Sequence, residues 1–163
     1  MNPVPPAPSF WQRRVVAPIV AQLTQGITPE KIALTLALGL ACGVFPFLGF
    51  TTLLCFLVAL ALRLNQPLIH TLNQLLWPAQ LALIPVYLKI GARIYGSPAL
   101  PFDPAEITRV FLASQREFWA RFGLMGLHAL TAWLLSLPVL AGAAYGAFLP
   151  LVRKLASAPA PRT

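Results

Sequence analysis

The chain has 163 residues, 58% of them hydrophobic and 10% charged, with a mean hydropathy of +0.73. A soluble domain carries about 25% charged residues, so the composition excludes one, and the length allows a single domain. The net charge of +8 comes from 12 Lys and Arg against 4 Asp and Glu, and the basic residues stand at the ends of apolar runs (Arg13, Arg14, Lys31, Arg63, Lys89, Arg93, Arg121, Arg153, Lys154), a placement that points to anionic lipid headgroups and away from nucleic acid.

In chain order, residues 1–9 are expected to form a disordered, Pro-rich tail. Residues 10–153 are expected to form one membrane domain, and 154–163 a flexible C-terminal tail. No cleaved secretory signal is expected, because Arg13-Arg14 is followed only by a short apolar stretch interrupted at Pro18. Phe10 to Gln25 reads as an amphipathic helix in the headgroup plane, anchored by Trp11. Thr28-Pro29-Glu30 is a helix start: a capping hydroxyl, a proline that loses no bond in the first turn, and an acid at the positive end of the dipole.

The uncharged run from Ile32 to Leu62 is longer than the roughly 20 residues that span a bilayer, and it is broken at its centre by Gly43-Val44-Phe45-Pro46-Phe47-Leu48-Gly49. Two short apolar arms around such a break predict a re-entrant hairpin, with a kinked single span as the alternative. Thr35, Gly39 and Gly43 repeat at four-residue spacing, which lets another helix approach closely. Cys42 and Cys55 match no metal spacing and read as small packing residues.

Leu64 to Leu88 is also uncharged but threaded with Asn65, Gln66, His70, Asn73, Gln74 and Gln80, so it is expected to pack on protein or border water. Pro78 marks a second break, expected to give a second hairpin with Lys89 on the side of Arg63. Gly96 to Pro101 reads as a loop. Asp103 and Glu106 have capping-box spacing and open a second surface-lying amphipathic helix, with Ile107, Val110, Phe111, Ser114 and Phe118 on one stripe. Residues 122–152, cut at Pro138, are either one kinked span or a third hairpin.

The acids Glu30, Asp103 and Glu106 sit at helix starts and Glu117 on a solvated face, while His70 and His128 have no ligand-spaced neighbours. No catalytic residue, metal or cofactor is therefore expected.

From Gly26 to Asn65 the sequence reads Gly-Ile-Thr-Pro-Glu, a small-residue apolar arm, Gly-Val-Phe-Pro-Phe-Leu-Gly-Phe-Thr-Thr, and a second arm closing on Leu62-Arg63-Leu64-Asn65. This resembles a prokaryotic membrane-protein family known as domain of unknown function 2062 (DUF2062), over roughly residues 10–150. The resemblance implies an integral membrane protein of bacteria and supplies no reaction or substrate. The family tends to carry an Asn-Pro pair in the second polar segment; here Trp77-Pro78 stands there, with Asn73 one helical turn earlier.

The expectation is therefore an all-α, multi-pass protein of the bacterial inner membrane, built from short transmembrane or re-entrant hairpins and amphipathic interfacial helices. Its leading function is transport or handling of a small or lipidic substrate at the break, along Gly43, Pro46, Gly49, Thr51, Thr52, Asn65, His70 and Asn73, with Arg63 as headgroup contact. The alternative is a non-transporting scaffold that docks a partner through the small-residue face and the amphipathic helix. So short a chain hardly encloses a pathway alone, so a homo-oligomer or a partner membrane protein is expected beside the lipids.

Overall fold

The computed structural model describes Ala17, residues 27–97 and residues 103–157, and among these every regular element is an α-helix. The first, α1, spans Pro29–Gly43; Thr28 Oγ1 caps it by accepting from the Lys31 amide at 3.4 Å. After the loop, with Gly49 at φ +85°, α2 spans Thr51–Ala61. Asn65 Oδ1 accepts from the Leu68 amide at 2.8 Å and caps α3, Gln66–Leu75. One residue later α4 runs over Trp77–Ile94, then α5 over Pro104–Ala113 and α6 over Gln115–Ser157. Asp103 caps α5 by accepting from the amides of Ala105 and Glu106.

Contacts fix the directions. α1 and α2 fold back on each other, with Cys42, Cys55 and Ala59 in one cluster with Ile69 of α3. α3 then runs parallel to α1: Leu68 meets Ile32 and Leu36, Ile69 and Leu72 lie over Gly39, and Leu76 lies over Gly43. The close approach permitted by Thr35, Gly39 and Gly43 is thus used within the chain. α6 runs antiparallel to α1, with Val152 against Ile32 and Leu36 at one end and Trp133 against Ala41 at the other. α4 is antiparallel to α6, Tyr87 lying near Ser136 and Gly91 against His128.

Lys31 and Arg63 line a single cleft, so the chain enters α1 and leaves α2 at the same end of the molecule. That is the hairpin, and the kinked single span does not form. With 15 and 11 residues, the arms are about 22 and 17 Å long, each short of the roughly 30 Å hydrocarbon core.

Several expectations are corrected. Pro78 does not open a second hairpin: α3 and α4 meet at 67°, and the chain continues away from Arg63, because Leu76 continues the backbone bonding across the break, its amide reaching Leu72 O and its carbonyl accepting from Gln80. Lys89 and Arg93 consequently lie at the other end of the molecule from Arg63. Residues 122–152 form no third hairpin but lie in one 43-residue helix that passes through Pro138 and Pro150, held by packing of Ala129, Ala132 and Trp133 on Ile84, Tyr87 and Leu88. The stripe from Ile107 to Phe118 is split, since Ser114 is extended at φ −159° and caps the start of α6 with its side chain on the Glu117 amide. Helix α6 also runs three residues beyond 154, where the C-terminal tail was expected, because Leu155 packs on the Ile32 cluster and Arg153 pairs with Glu30 at 2.9 Å. Of the amphipathic helix expected over 10–25, only Ala17, which is helical, is described. The tail over 1–9, residues 98–101 of the expected loop, Phe102 and residues 158–163 lie outside the described residues.

Candidate functional site

A break inside an apolar hairpin leaves carbonyls that no helix satisfies, and each is costly to bury without a donor. Here they are met from two other helices. The indole N–H of Trp133, on α6, donates to Ala41 O at 2.9 Å, a carbonyl in the last turn of α1. Gln80, on α4, donates through Nε2 to Phe45 O at 2.9 Å and to Phe47 O at 3.4 Å. The loop rings add packing, Phe45 meeting Trp133 edge-on at 4.8 Å and Phe47 lying over Gly126. The Val44–Phe47 side of the hairpin loop is therefore clamped onto α4 and α6, while Leu48, Gly49 and Phe50 at its outer side are exposed.

Beside the clamp lies a cleft of about 270 Å³ between the loop and the α3–α4 bend, lined by Leu48, Gly49, Thr51, Thr52, Asn73, Gln74, Trp77 and Gln80. Asn73 and Gln80 are buried, at 5% and 2% exposure. Asn73 Nδ2 donates to Thr52 Oγ1 at 3.3 Å, tying α3 to the first turn of α2. Neither α2 nor α4, whose first turns both border the cleft, has a side chain capping its N-terminus. The lining holds no charged side chain.

A second cleft, of about 350 Å³, opens at the far end of the hairpin between Ile27, Thr28, Lys31, Arg63, Leu64 and Asn65. It gathers two cations and the starts of α1 and α3, and we refer to it as the mouth. Arg63 takes φ +51° here. It is the left-handed residue of a Schellman turn, in which its amide reaches Leu60 O at 3.3 Å and the Leu64 amide reaches Ala59 O at 2.8 Å. The equivalent turn after α4 uses Gly96. Close by, Glu30 binds Arg153, and its own backbone amide and the guanidinium hold its carboxyl below the ordinary value.

The residues expected along one path are thus divided. Gly49, Thr51, Thr52 and Asn73 line the inner cleft. Asn65 and Arg63 line the mouth, at the opposite end of α3. Gly43 is buried against Leu76 and Asn73, Pro46 is buried in the loop, and His70, half-buried on α3, lines neither cleft. Gln80 and Trp133 are the site residues that sequence reasoning missed. A signal existed for each: an amide in an apolar helix just after Pro78, and an indole N–H in an uncharged run, both needing partners. Among the described residues no group of His, Cys, Asp and Glu could hold a metal ion.

The profile of a family described as "Uncharacterized protein conserved in bacteria (DUF2062)" matches residues 13–159. No curated protein and no solved structure matches the chain.

Proposed function

The chain belongs to that uncharacterised bacterial family, DUF2062, and from this premise we propose a multi-pass protein of the bacterial inner membrane that handles a small or lipidic substrate at the cleft beneath its broken hairpin. One observation carries the reading: the inner side of the broken hairpin loop is held by Gln80 and Trp133 and borders an uncharged polar cleft. Backbone broken at membrane depth is tolerated where protein covers it or where it lines a cavity, and helix ends that meet there serve substrates.

The membrane part of the reading rests on length and surface. Helix α6 is long and apolar enough to cross a bilayer, and α3 with α4 passes the same test as one bent span. Leu53, Phe56, Leu57 and Leu60 on α2 and Leu134, Leu135 and Val139 on α6 are all exposed. An apolar surface of that kind marks contact with lipid or protein. Lys31 and Arg63 at the mouth suit anionic headgroups. Two spans and one hairpin hardly enclose a pathway, so the reading includes a homo-oligomer or a partner membrane protein. The scaffold alternative keeps only the amphipathic helix as its docking surface, since α3 already covers Gly39 and Gly43 within the chain.

The test uses single cysteines in a Cys42→Ala/Cys55→Ala chain and an impermeant thiol reagent. Lys31→Cys and Arg63→Cys are expected to label from one face of the membrane, and Leu48→Cys, at the rim of the cleft, to label at a measurable rate. Labelling of 31 and 63 from opposite faces, or a Leu48→Cys that stays unreactive, would overturn the reading.

A further inference from the structure

The two cations of the mouth have no counter-charge. Lys31 and Arg63 line one cleft of about 350 Å³. The ion pairs among the described residues join Arg121 to Glu106 and Glu117, and Arg153 to Glu30; neither Lys31 nor Arg63 takes part in one. The lining holds no carboxylate. Glu30, the acid close by, is matched by the Arg153 guanidinium. Two like charges gathered on one cleft repel each other, and an anion between them removes that cost.

Other features act in the same sense. Helices α1 and α3 both begin at the mouth and turn their positive ends to it. Thr28 Oγ1 accepts from the Lys31 amide, which leaves its own proton to donate. Arg63 holds a left-handed backbone, φ +51°, that disfavours any side chain and that glycine takes freely, as Gly96 does after α4. The turn itself needs no arginine, so what Arg63 contributes is a guanidinium at the mouth.

The charges select the kind of anion. A carboxylate or a phosphodiester carries one negative charge and leaves one cation unmatched. A phosphate monoester carries about 1.5 to 2 negative charges near neutral pH, with three acceptor oxygens. The planar fork of arginine takes two of these oxygens, and the lysine ammonium meets the third as a point charge.

The structure assigns the mouth to a phosphate monoester, held between Lys31 and Arg63 with the Thr28 hydroxyl donating to it. This deepens the reading of the mouth as a headgroup contact. The group arrives on a lipid or on a soluble ester; the lipid source rests on the membrane reading, and the charge match does not.

The experiment follows acylation of Lys31 by an amine reagent, read by peptide mass spectrometry on the full chain in phosphatidylcholine nanodiscs at fixed ionic strength. The other lysines serve as internal references: Lys154, next to Arg153, and Lys89, at the other end of the molecule, both exposed. The discs carry phosphatidic acid, or phosphatidylglycerol at matched total charge, or neither, with glycerol 3-phosphate in solution. Phosphatidic acid is expected to slow Lys31 saturably and Lys154 hardly at all, with phosphatidylglycerol about three- to tenfold less effective. Arg63→Lys keeps the charge but loses the fork, and is expected to raise the half-protecting concentration about tenfold. Protection by phosphatidic acid alone supports a lipid headgroup, and protection by glycerol 3-phosphate supports a soluble ester. Equal protection by phosphatidylglycerol, Lys154 protected in step with Lys31, or an Arg63→Lys chain protected like the parent overturns the site in favour of diffuse attraction. No protection of Lys31 by either monoester overturns it outright. A chain that does not enter the discs overturns the membrane reading, and glycerol 3-phosphate then decides the site alone.

Discussion

Gln80 joins α4 to a loop whose carbonyls lie 35 and 33 residues earlier in the chain. Its replacement by Leu keeps the volume and the apolar setting but leaves Phe45 O and Phe47 O without that donor. A buried acceptor left without a donor costs about 1–3 kcal/mol; Gln80→Leu should therefore lower stability by that amount in denaturant-induced unfolding, and Gln80→Glu should restore at most one of the two bonds, because only a protonated carboxyl donates and it carries a single O–H. Arg63 is a contrasting case. Its left-handed backbone is one that glycine adopts freely, as Gly96 does after α4. Arg63→Gly trades steric relief against greater freedom of the unfolded chain, so stability should stay within about 1 kcal/mol of the parent. Binding to anionic vesicles should fall, by about 1 kcal/mol for one lost cation near the surface. A large loss of stability would mean that the guanidinium holds the fold and not a headgroup.

At the scale of elements, the tightest contact is between α4 and α6. A Cβ added at Gly91 would lie 2.1 Å from the backbone oxygen of His128, so the helices there are separated by no side chain at all. Tyr95 closes the same contact, its ring stacked on His128 at 4.5 Å and its hydroxyl 3.0 Å from Thr131 Oγ1. Gly91→Ala should push α4 off α6 and cost about 1–3 kcal/mol or more, whereas Gly142→Ala, with nothing within 4 Å, should be close to neutral; thermal unfolding of the two variants distinguishes them. The starts of α1 and α5 were legible in the sequence because a cap is a local signal: Thr28 and Asp103 each bond an amide within three residues; Asn65 gives α3 the same local cap but was read as a path residue. The course of α6 was not legible. Pro138 is a local reason to break a helix, costing about 3 kcal/mol, and what carries the helix past it is the contact of Trp133 and its neighbours with α4, which lies about 45–50 residues back in the chain and leaves no mark near the proline. The bend between α3 and α4 has the same character: Pro78 announces a change of direction, but its angle depends on what Leu76 meets at Gly43.

For the whole molecule, these contacts set an order of ends. The mouth gathers Lys31 and Arg63, with Arg153 close by on Glu30, while Arg93 lies in the last turn of α4, beside the part of α6 around His128. A cysteine at Arg93 should therefore label from the face opposite to one at Arg63, with intact cells and inverted vesicles giving reciprocal patterns. Labelling from one face would restore the second hairpin that the sequence suggested. The division of the expected site follows from the same layout. Asn65 and Asn73 belong to one polar segment and look equivalent in sequence, yet they stand at the two ends of α3, one capping it at the mouth and the other in the inner cleft. Sequence spacing alone cannot tell a residue that starts a helix from one that ends up beside a break eight residues on.

The clamp on the hairpin also has a history within each round of synthesis. The carbonyl of Ala41 waits for Trp133, 92 residues later, and those of Phe45 and Phe47 wait for Gln80. At about 5–20 residues per second, that is roughly 2–7 s before Gln80 is made and 5–18 s before Trp133 is. Throughout that interval the broken tip has no donors of its own and cannot rest in hydrocarbon without loss. The hairpin of α1 and α2 is thus completed only when α4 and α6 have been made. On the proposed membrane reading, either the insertion machinery shelters it until α6 emerges, or it remains at the surface and slips in only when the later helices are there to receive it.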